Sequence, residues 1–554
     1  MKKILYGILL YSCTSFSQGL QNGYLSGNFQ SDFQWYIEDE ALNFTLENGD
    51  SEFPNEYFLS NSFANINYKN EIFSAGIRYE AYQNALLGYP AGFKGEGITY
   101  RYIGFNKDGL DITLGNFYEQ FGSGMILRAY EERNLGYDNA FDGIRLKYSP
   151  LKGVYLKTLV GRQRLFFENG EGLIRAIDGE IVLNETFKAL SQKKTLIRLG
   201  GSFVSKFQET TNPQYELPEN VGAWASRIDI NHGKWNFSSE YVHKYNDPSF
   251  ANNYIYKNGN AFITNMSYSK RGLGISVAAK RIDNMDFRSE RDQNLQNLMI
   301  NFLPALTKQH AYALATIYPY GTINTGEMGM QVELLYKIKK GTKLGGKYGM
   351  GLIANFSNVY GIHKEALNES TPINSTGTLG YKSDFFKVGE DKYFQEYSME
   401  LNKKVNSKLK FIGSYINTHY NAEFIQGYDI DDDLPKMIYA KILILETQYK
   451  IKPKHSIRSE IQHLSTKQHE GNWVMALLEY TISPNYFFAV QNLYNYGNET
   501  SKLNYPTLSL GRNRGTSRIA LSYGKQRAGI FCVGGVCRNV PASNGLSLNI
   551  TSSF

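Results

Sequence analysis

Short runs in which apolar and polar residues alternate recur along almost the whole chain, and no later segment approaches the ~20 consecutive apolar residues of a membrane helix. In Ile72 to Ala81, the residues Phe73, Ala75, Ile77 and Tyr79 fall on one face, and Ser74, Gly76, Arg78 and Glu80 on the other. Ile144, Leu146 and Tyr148 alternate with Arg145 and Lys147, and Val332, Leu334, Tyr336 and Ile338 with Glu333 and Lys337. A period of two is that of a β-strand with one apolar and one wet face. With 42 Tyr, 33 Phe and 52 Gly against 14 Pro, composition favours strands joined by glycine-bearing turns. The class is all-β.

The N-terminus narrows the setting. Lys2 and Lys3 precede the apolar run Ile4 to Tyr11 and a small-polar stretch to Ser17, the layout of a secretory signal peptide over residues 1–17. A rival reading takes Leu10-Tyr-Ser-Cys13 as a lipoprotein box, although Tyr11 is bulky for it. An exported chain without a membrane helix is either soluble beyond the inner membrane or a membrane barrel, and the connections point to the barrel. Tight turns at 106–109, 149–153, 231–234, 270–272, 339–342, 452–454 and 483–485 alternate with longer polar stretches at 40–55, 84–96, 120–140, 209–220, 247–258, 285–326, 357–390 and 422–436. Short periplasmic turns and long external loops are the habit of outer-membrane barrels.

Tracing strands from Gly23 to Phe554 predicts a transmembrane antiparallel β-barrel of about 24 strands, within 22–26. It forms one domain over residues 18–554; the count turns on 298–318, where Leu298 to Leu303 and His310 to Tyr318 could add a hairpin, and on 173–208, where the strand edges are poorly marked. The alternative is a large secreted β-sandwich or solenoid. Leu546, Leu548 and Ile550 alternate towards the terminal Phe554 and resemble the C-terminal strand signal read by the barrel assembly machinery. The predicted location is the outer membrane, with its lipid and lipopolysaccharide as surroundings.

Few residues suggest chemistry. Cys532 and Cys537 lie in the loop before the last strand, spaced Cys-x4-Cys; lacking nearby zinc ligands, they read as a disulfide across a turn made by Gly534 and Gly535. Gly341 to Lys347 fits a phosphate loop until Tyr348 stands where Ser or Thr would hold magnesium, so it reads as a turn. Asp429, Asp431, Asp432 and Asp433 lack the glycine and distal glutamate of a calcium loop and read as a solvated loop in preference to an ion site. His455, His463 and His469 are spread too widely along a strand to share a metal. No catalytic motif, cofactor motif or metal-ligand set is evident, so the chain reads as a non-enzyme, with a barrel-borne lipid hydrolase as a remote third class. The net charge of +7 is spread along the chain and forms no nucleic-acid-binding stripe.

Two loops stand out. The segment from Tyr118, Glu119, Gln120 and Phe121 through Arg128, Glu131 and Arg133 mixes apolar and paired charged residues, and 298–326 is similarly apolar. Left in water they would expose too much apolar area, which leaves folding into the lumen or docking on a partner.

Tyr118-Glu-Gln-Phe-Gly-Ser-Gly124, Tyr318-Pro-Tyr320 with Gly326-Glu-Met-Gly329, and the ending Gly534 to Gly545 resemble a domain-of-unknown-function family of Bacteroidota outer-membrane barrels. The resemblance implies a structural or accessory barrel in an outer-membrane assembly linked to type IX secretion or gliding, with other outer-membrane proteins or lipoproteins as partners. A porin-like or gated channel for small solutes is the alternative, since a barrel of this size has room for a lumen.

Overall fold

The computed structural model describes residues 23–42, 56–90, 92–210, 212–427, 436–533 and 536–554. Twenty-four antiparallel strands form one sheet, each paired with its neighbours in the chain. The first, Gly23–Tyr36, closes the ring on the last, Ser543–Ser553, with Asn28 opposite Ser553 and Tyr36 opposite Gly545. Closure leaves no unpaired edge, the condition for strands to cross a bilayer. The fold is the expected transmembrane β-barrel, at the expected count. Backbone bonds between Phe554 and Gly27 extend the seam, and a Cβ on Gly27 would collide with the Phe554 ring.

Alternation sorts the side chains as the sequence predicts. On Phe73–Gln83, Phe73, Ile77 and Tyr79 are exposed on the outside, whereas Arg78 and Glu80 are buried inside. Leu546, Leu548 and Ile550 fall on the outer face of the last strand, opposite Trp35, Phe33 and Ser31. Aromatic residues gather at both margins of the apolar belt: Phe73 with Phe105 and Trp235 with Tyr268 near the turns, Trp35 with Phe58 and Trp224 with Tyr241 near the loops. Such girdles mark the two membrane interfaces.

Both chain ends of the barrel share one rim with the turns, and the loops share the other. Three connections depart from the expected pattern. The loop-side link between Val154–Leu165 and Glu168–Val182 is only Phe166 and Phe167, turned by Phe166 in the left-handed region and packed on Phe93 and Tyr82. On the turn side, 183–194 carries the short helix Leu183–Thr186, and 339–349 is longer than the turn expected at 339–342. The further hairpin at 298–318 does not form. That stretch has one 3-10 turn, Ala313–Thr316, and its backbone pairs elsewhere: Arg128 N donates to Ile300 O, Ile300 N to Phe287 O and Phe302 N to Gly124 O.

Candidate functional site

What distinguishes this barrel is how its lumen is filled. In the 118–140 loop, Gln120–Phe121 pairs with Leu127–Arg128 around a Gly122-Ser-Gly124 tip. Both tip glycines have positive φ, and the Ser123 amide donates 2.7 Å to Glu240 Oε2 on the inner wall. A Cβ on Gly122 would stand 2.5 Å from the same oxygen, so the tip needs glycine both for its turn and for this approach. Behind the tip, Phe121, Met125, Ile126 and Leu127 have no exposed surface and join a core with wall residues such as Phe141, Ile174, Val204 and Val242. The loop therefore lies inside the barrel.

The 284–325 loop fills the rest. Its first half adds Met285, Phe287 and Ile300 to that core, and its second half packs Leu314, Ile317, Tyr318 and Tyr320 on Phe394, Tyr420, Ile442, Leu464 and Trp473. This explains Met437–Lys452, where Leu443 and Leu445 face lipid while Ile438, Ala440, Ile442 and Ile444 face inward and are buried. Polar tethers fix the same loop: Lys280, paired with Glu327 at 2.6 Å, donates to Pro304 O, the Tyr320 hydroxyl and Ile323 amide donate to Glu327, His310 meets Glu396 at 3.0 Å, and the Leu314 amide donates to Gln462 at 2.8 Å.

A compact charge cluster pins the first loop. Arg78 reaches Glu80 and Glu131, both at 2.8 Å, and Asp138; Arg164 reaches Glu80 at 2.5 Å and Asp138 at 2.7 Å. Tyr118 donates to Asp138 at 3.1 Å. Glu80, Glu131 and Asp138 bring one oxygen each within 4.8 Å of the others, a metal-like spacing, but the two guanidiniums already engage those carboxylates. The cluster is a buried ionic clamp joining loop to wall. Burial alone would push the Asp138 carboxyl up, but Arg164, Arg78 and the Ala140 amide hold it below the usual carboxylate range. A carboxyl depressed in the fold stabilises it above the unfolded value, and that contribution is lost as pH falls through the folded one. Hydrogen-exchange protection of 129–140 should thus stay level from neutral pH to about 4 and fall only below it. Loss between pH 7 and 5 would contradict the clamp.

The other residues singled out from the sequence lie in or beside this plug. Glu119 meets Lys147 at 2.7 Å and Lys157 at 3.0 Å, Gln120 donates to Gly122 O, and Arg128 stacks between the Tyr130 and Phe302 rings. Arg133 pairs with Glu131 at 2.7 Å and covers the Phe63 ring. The wall residues that hold the plug, Arg78, Glu80, Arg164, Glu240 and Glu327, carry no motif that marks them as its partners. An inward Arg and Glu two apart, as in Arg78 and Glu80, was the available hint.

Below the plug, towards the turns, the lumen is wet. Lys147, Lys157 and Arg198 there are about a third or more exposed, and a cavity of about 260 Å³ is lined by Tyr100, Tyr102, Asp111, Thr113 and Arg145. The barrel is thus a cup, dry at the loop end and watered at the turn end.

Cys532 and Cys537 form the expected disulfide, opposite one another in a hairpin of Gly529–Val533 with Val536–Val540, and Arg538 lies over the Tyr89 ring. Gly534 and Gly535, the Asp429 to Asp433 cluster and the signal segment 1–17 lie outside the described residues. The bridge closes a small loop, contributing about 2 kcal/mol by loop entropy. Reduction should raise exchange only within 527–542, and a drop in whole-barrel unfolding temperature would show a wider role.

A family described as a family of unknown function (DUF6029) matches residues 1–554. No curated protein matches the sequence. Among solved structures, the siderophore receptor PirA from Pseudomonas aeruginosa is 9% identical with a TM-score of 0.42, covering 96% of this chain and 80% of that one. The ferric enterobactin receptor PfeA from the same organism gives 10% and 0.42 over the same shares, and its OccK8 (OprE) gives 7% and 0.34 over 96% and 98%. Likeness this loose carries no argument about function.

Proposed function

This chain belongs to the DUF6029 family of unknown function, and we propose that it is a sealed, non-enzymatic barrel serving as a structural or accessory component of an outer-membrane assembly. The observation that carries this reading is the dry, ion-paired plug, in which two buried apolar cores join both lumen loops to the inner wall at the loop end. The loop face supports it. Phe250, Leu295 and Leu379 are 65%, 79% and 62% exposed on three loops that touch through Phe250 N to Arg291 O and Tyr256 N to Thr378 O. Large apolar side chains grouped on a rim of otherwise polar loops suit a protein contact. The sequence resemblance points to type IX secretion or gliding as the setting. Gentle extraction from native membranes should recover the barrel with other outer-membrane proteins in fixed ratio, and Leu295→Asp with Leu379→Asp should release them. A barrel recovered alone at normal expression would sink the reading.

The wet, charged lower cup favours a second reading, a channel gated by the plug. Purified wild type in a planar bilayer decides between them: silence fits the sealed barrel, and stepwise opening at modest voltage fits the channel.

A further inference from the structure

The outer wall carries a built feature that the sealed lumen does not use. Between Gly326–Ile338 and Leu409–Asn421 a concavity of about 320 Å³ opens towards lipid, lined by Val332, Leu334, Phe356, Tyr397, Met399 and Tyr415. Register places these residues in two adjacent tiers, Val332–Phe356–Tyr397 and Leu334–Ala354–Met399–Tyr415. Small Ala354 between larger neighbours makes the hollow. A smooth belt would pack against any lipid alike; a groove of this size admits part of one acyl chain.

The next tiers towards the loops change character. Asn358, Gln395 and His419 are level with one another and Tyr360 and Lys392 stand one tier above; Lys441 faces outward beside Asn417, which stands opposite Tyr397 and so flanks the groove's upper tier. Gln395 donates to the Tyr397 hydroxyl at 3.1 Å and Asn417 to that of Tyr415 at 3.4 Å, forming a polar ledge over the groove. Lys392 donates to Gln395 at 3.1 Å and lies near the Tyr360 ring, and neither it nor the exposed Lys441 has an ion pair among the described residues. Glu390 and Asp391 stand nearer the loop rim on the same strand and pair with neither lysine. The 363–387 loop, which springs from two of these strands, leans away across the wall, where Phe385 meets Tyr241 and Phe262.

Apolar groove, hydrogen-bonding ledge and the unpaired Lys392 thus follow one another up the wall, with the unpaired Lys441 at the groove's flank. Gln395 lies two residue pairs above Met399 in the hollow, or ~13 Å along the strand, which is where the bilayer itself passes from acyl chains to headgroups. We propose that this sector binds one phosphorylated, acylated lipid of the outer leaflet, with a chain in the groove and phosphate on Lys392 and Lys441. Phosphate is favoured over carboxylate ligands because a lipid headgroup carries it at this height, and a lysine ammonium binds phosphate as a point charge.

The test uses the folded full-length barrel in phosphatidylethanolamine nanodiscs containing lipid A, with retained lipid counted per barrel by native mass spectrometry. Lys392→Ala with Lys441→Ala should weaken retention roughly thirtyfold, two headgroup contacts' worth. Ala354→Trp, which fills the groove and leaves both lysines, should also reduce it. Arg162→Ala with Arg175→Ala, exposed elsewhere on the outer wall, should change nothing, and inorganic phosphate should not displace the lipid. Heat-modified gel migration confirms that each variant is folded. Unchanged retention in either groove-sector variant, equal loss in the arginine pair, equal retention of a phosphate-free lipid, or displacement by inorganic phosphate would each overturn the proposal.

Discussion

Replacing Arg164 with alanine is expected to free the 129–140 half of the first plug loop from the wall and to destabilise the barrel by about 3–5 kcal/mol, the usual cost of leaving buried partners uncompensated. Arg164 is 3% exposed and holds Glu80 and Asp138 at once. Its removal leaves three carboxylates facing Arg78 alone, with Arg133 touching only Glu131. The hairpin at 120–128 should stay seated, because Phe121, Met125, Ile126 and Leu127 are buried without reference to the clamp, at ~1.5–3 kcal/mol for each large side chain. Limited proteolysis and hydrogen exchange should therefore show opening confined to 129–140. Glu80→Gln added to Arg164→Ala should recover part of the loss, since it removes one of the stranded charges. If Arg164→Ala melts like wild type with 129–140 still protected, the clamp is not what holds this loop.

Much of this architecture was legible in the sequence because a barrel strand declares itself locally: one face meets lipid, and two-residue alternation records it. Phe73 to Glu80 shows this most clearly. Legibility failed where burial came from distant chain. Ile442 to Leu445 is apolar on both faces because the 284–325 loop covers the inner one, so alternation is lost there although the strand is regular. The same loop drew the expectation of an extra hairpin at 298–318, since apolar runs of strand length look alike whether they pair edge to edge or pack as irregular chain. The paired charges of the 118–140 loop were visible, but their partners come from strands that are neighbours only after the ring closes: Arg78 and Arg164 are 86 positions apart and meet at Asp138. The Gly122-Ser-Gly124 tip was visible as a motif, whereas Glu240, which gives it meaning, is 117 residues from Ser123.

Removing both plug loops should convert the sealed barrel into an open pore. With 118–140 and 284–325 each replaced by a short glycine-serine link, a 24-strand ring encloses more space than the 16–18-strand barrels that already leave an aqueous channel. The ring itself should survive, because its backbone pairing runs strand to strand and owes nothing to the loops. It would do so at lower stability, since Phe394, Ile442, Leu464 and Trp473 would then face water where the plug now keeps them dry. The two single deletions separate the contributions. Loss of 118–140 leaves the Leu314 to Tyr320 half of the plug seated on its own core, tethered through Glu327, Glu396 and Gln462, so its conductance should be well below that of the double deletion. Loss of 284–325 removes the Phe287 and Ile300 partners of the first hairpin as well, and should give the larger opening of the two. A folded double deletion that passes no ions would mean that something other than these loops closes the lumen.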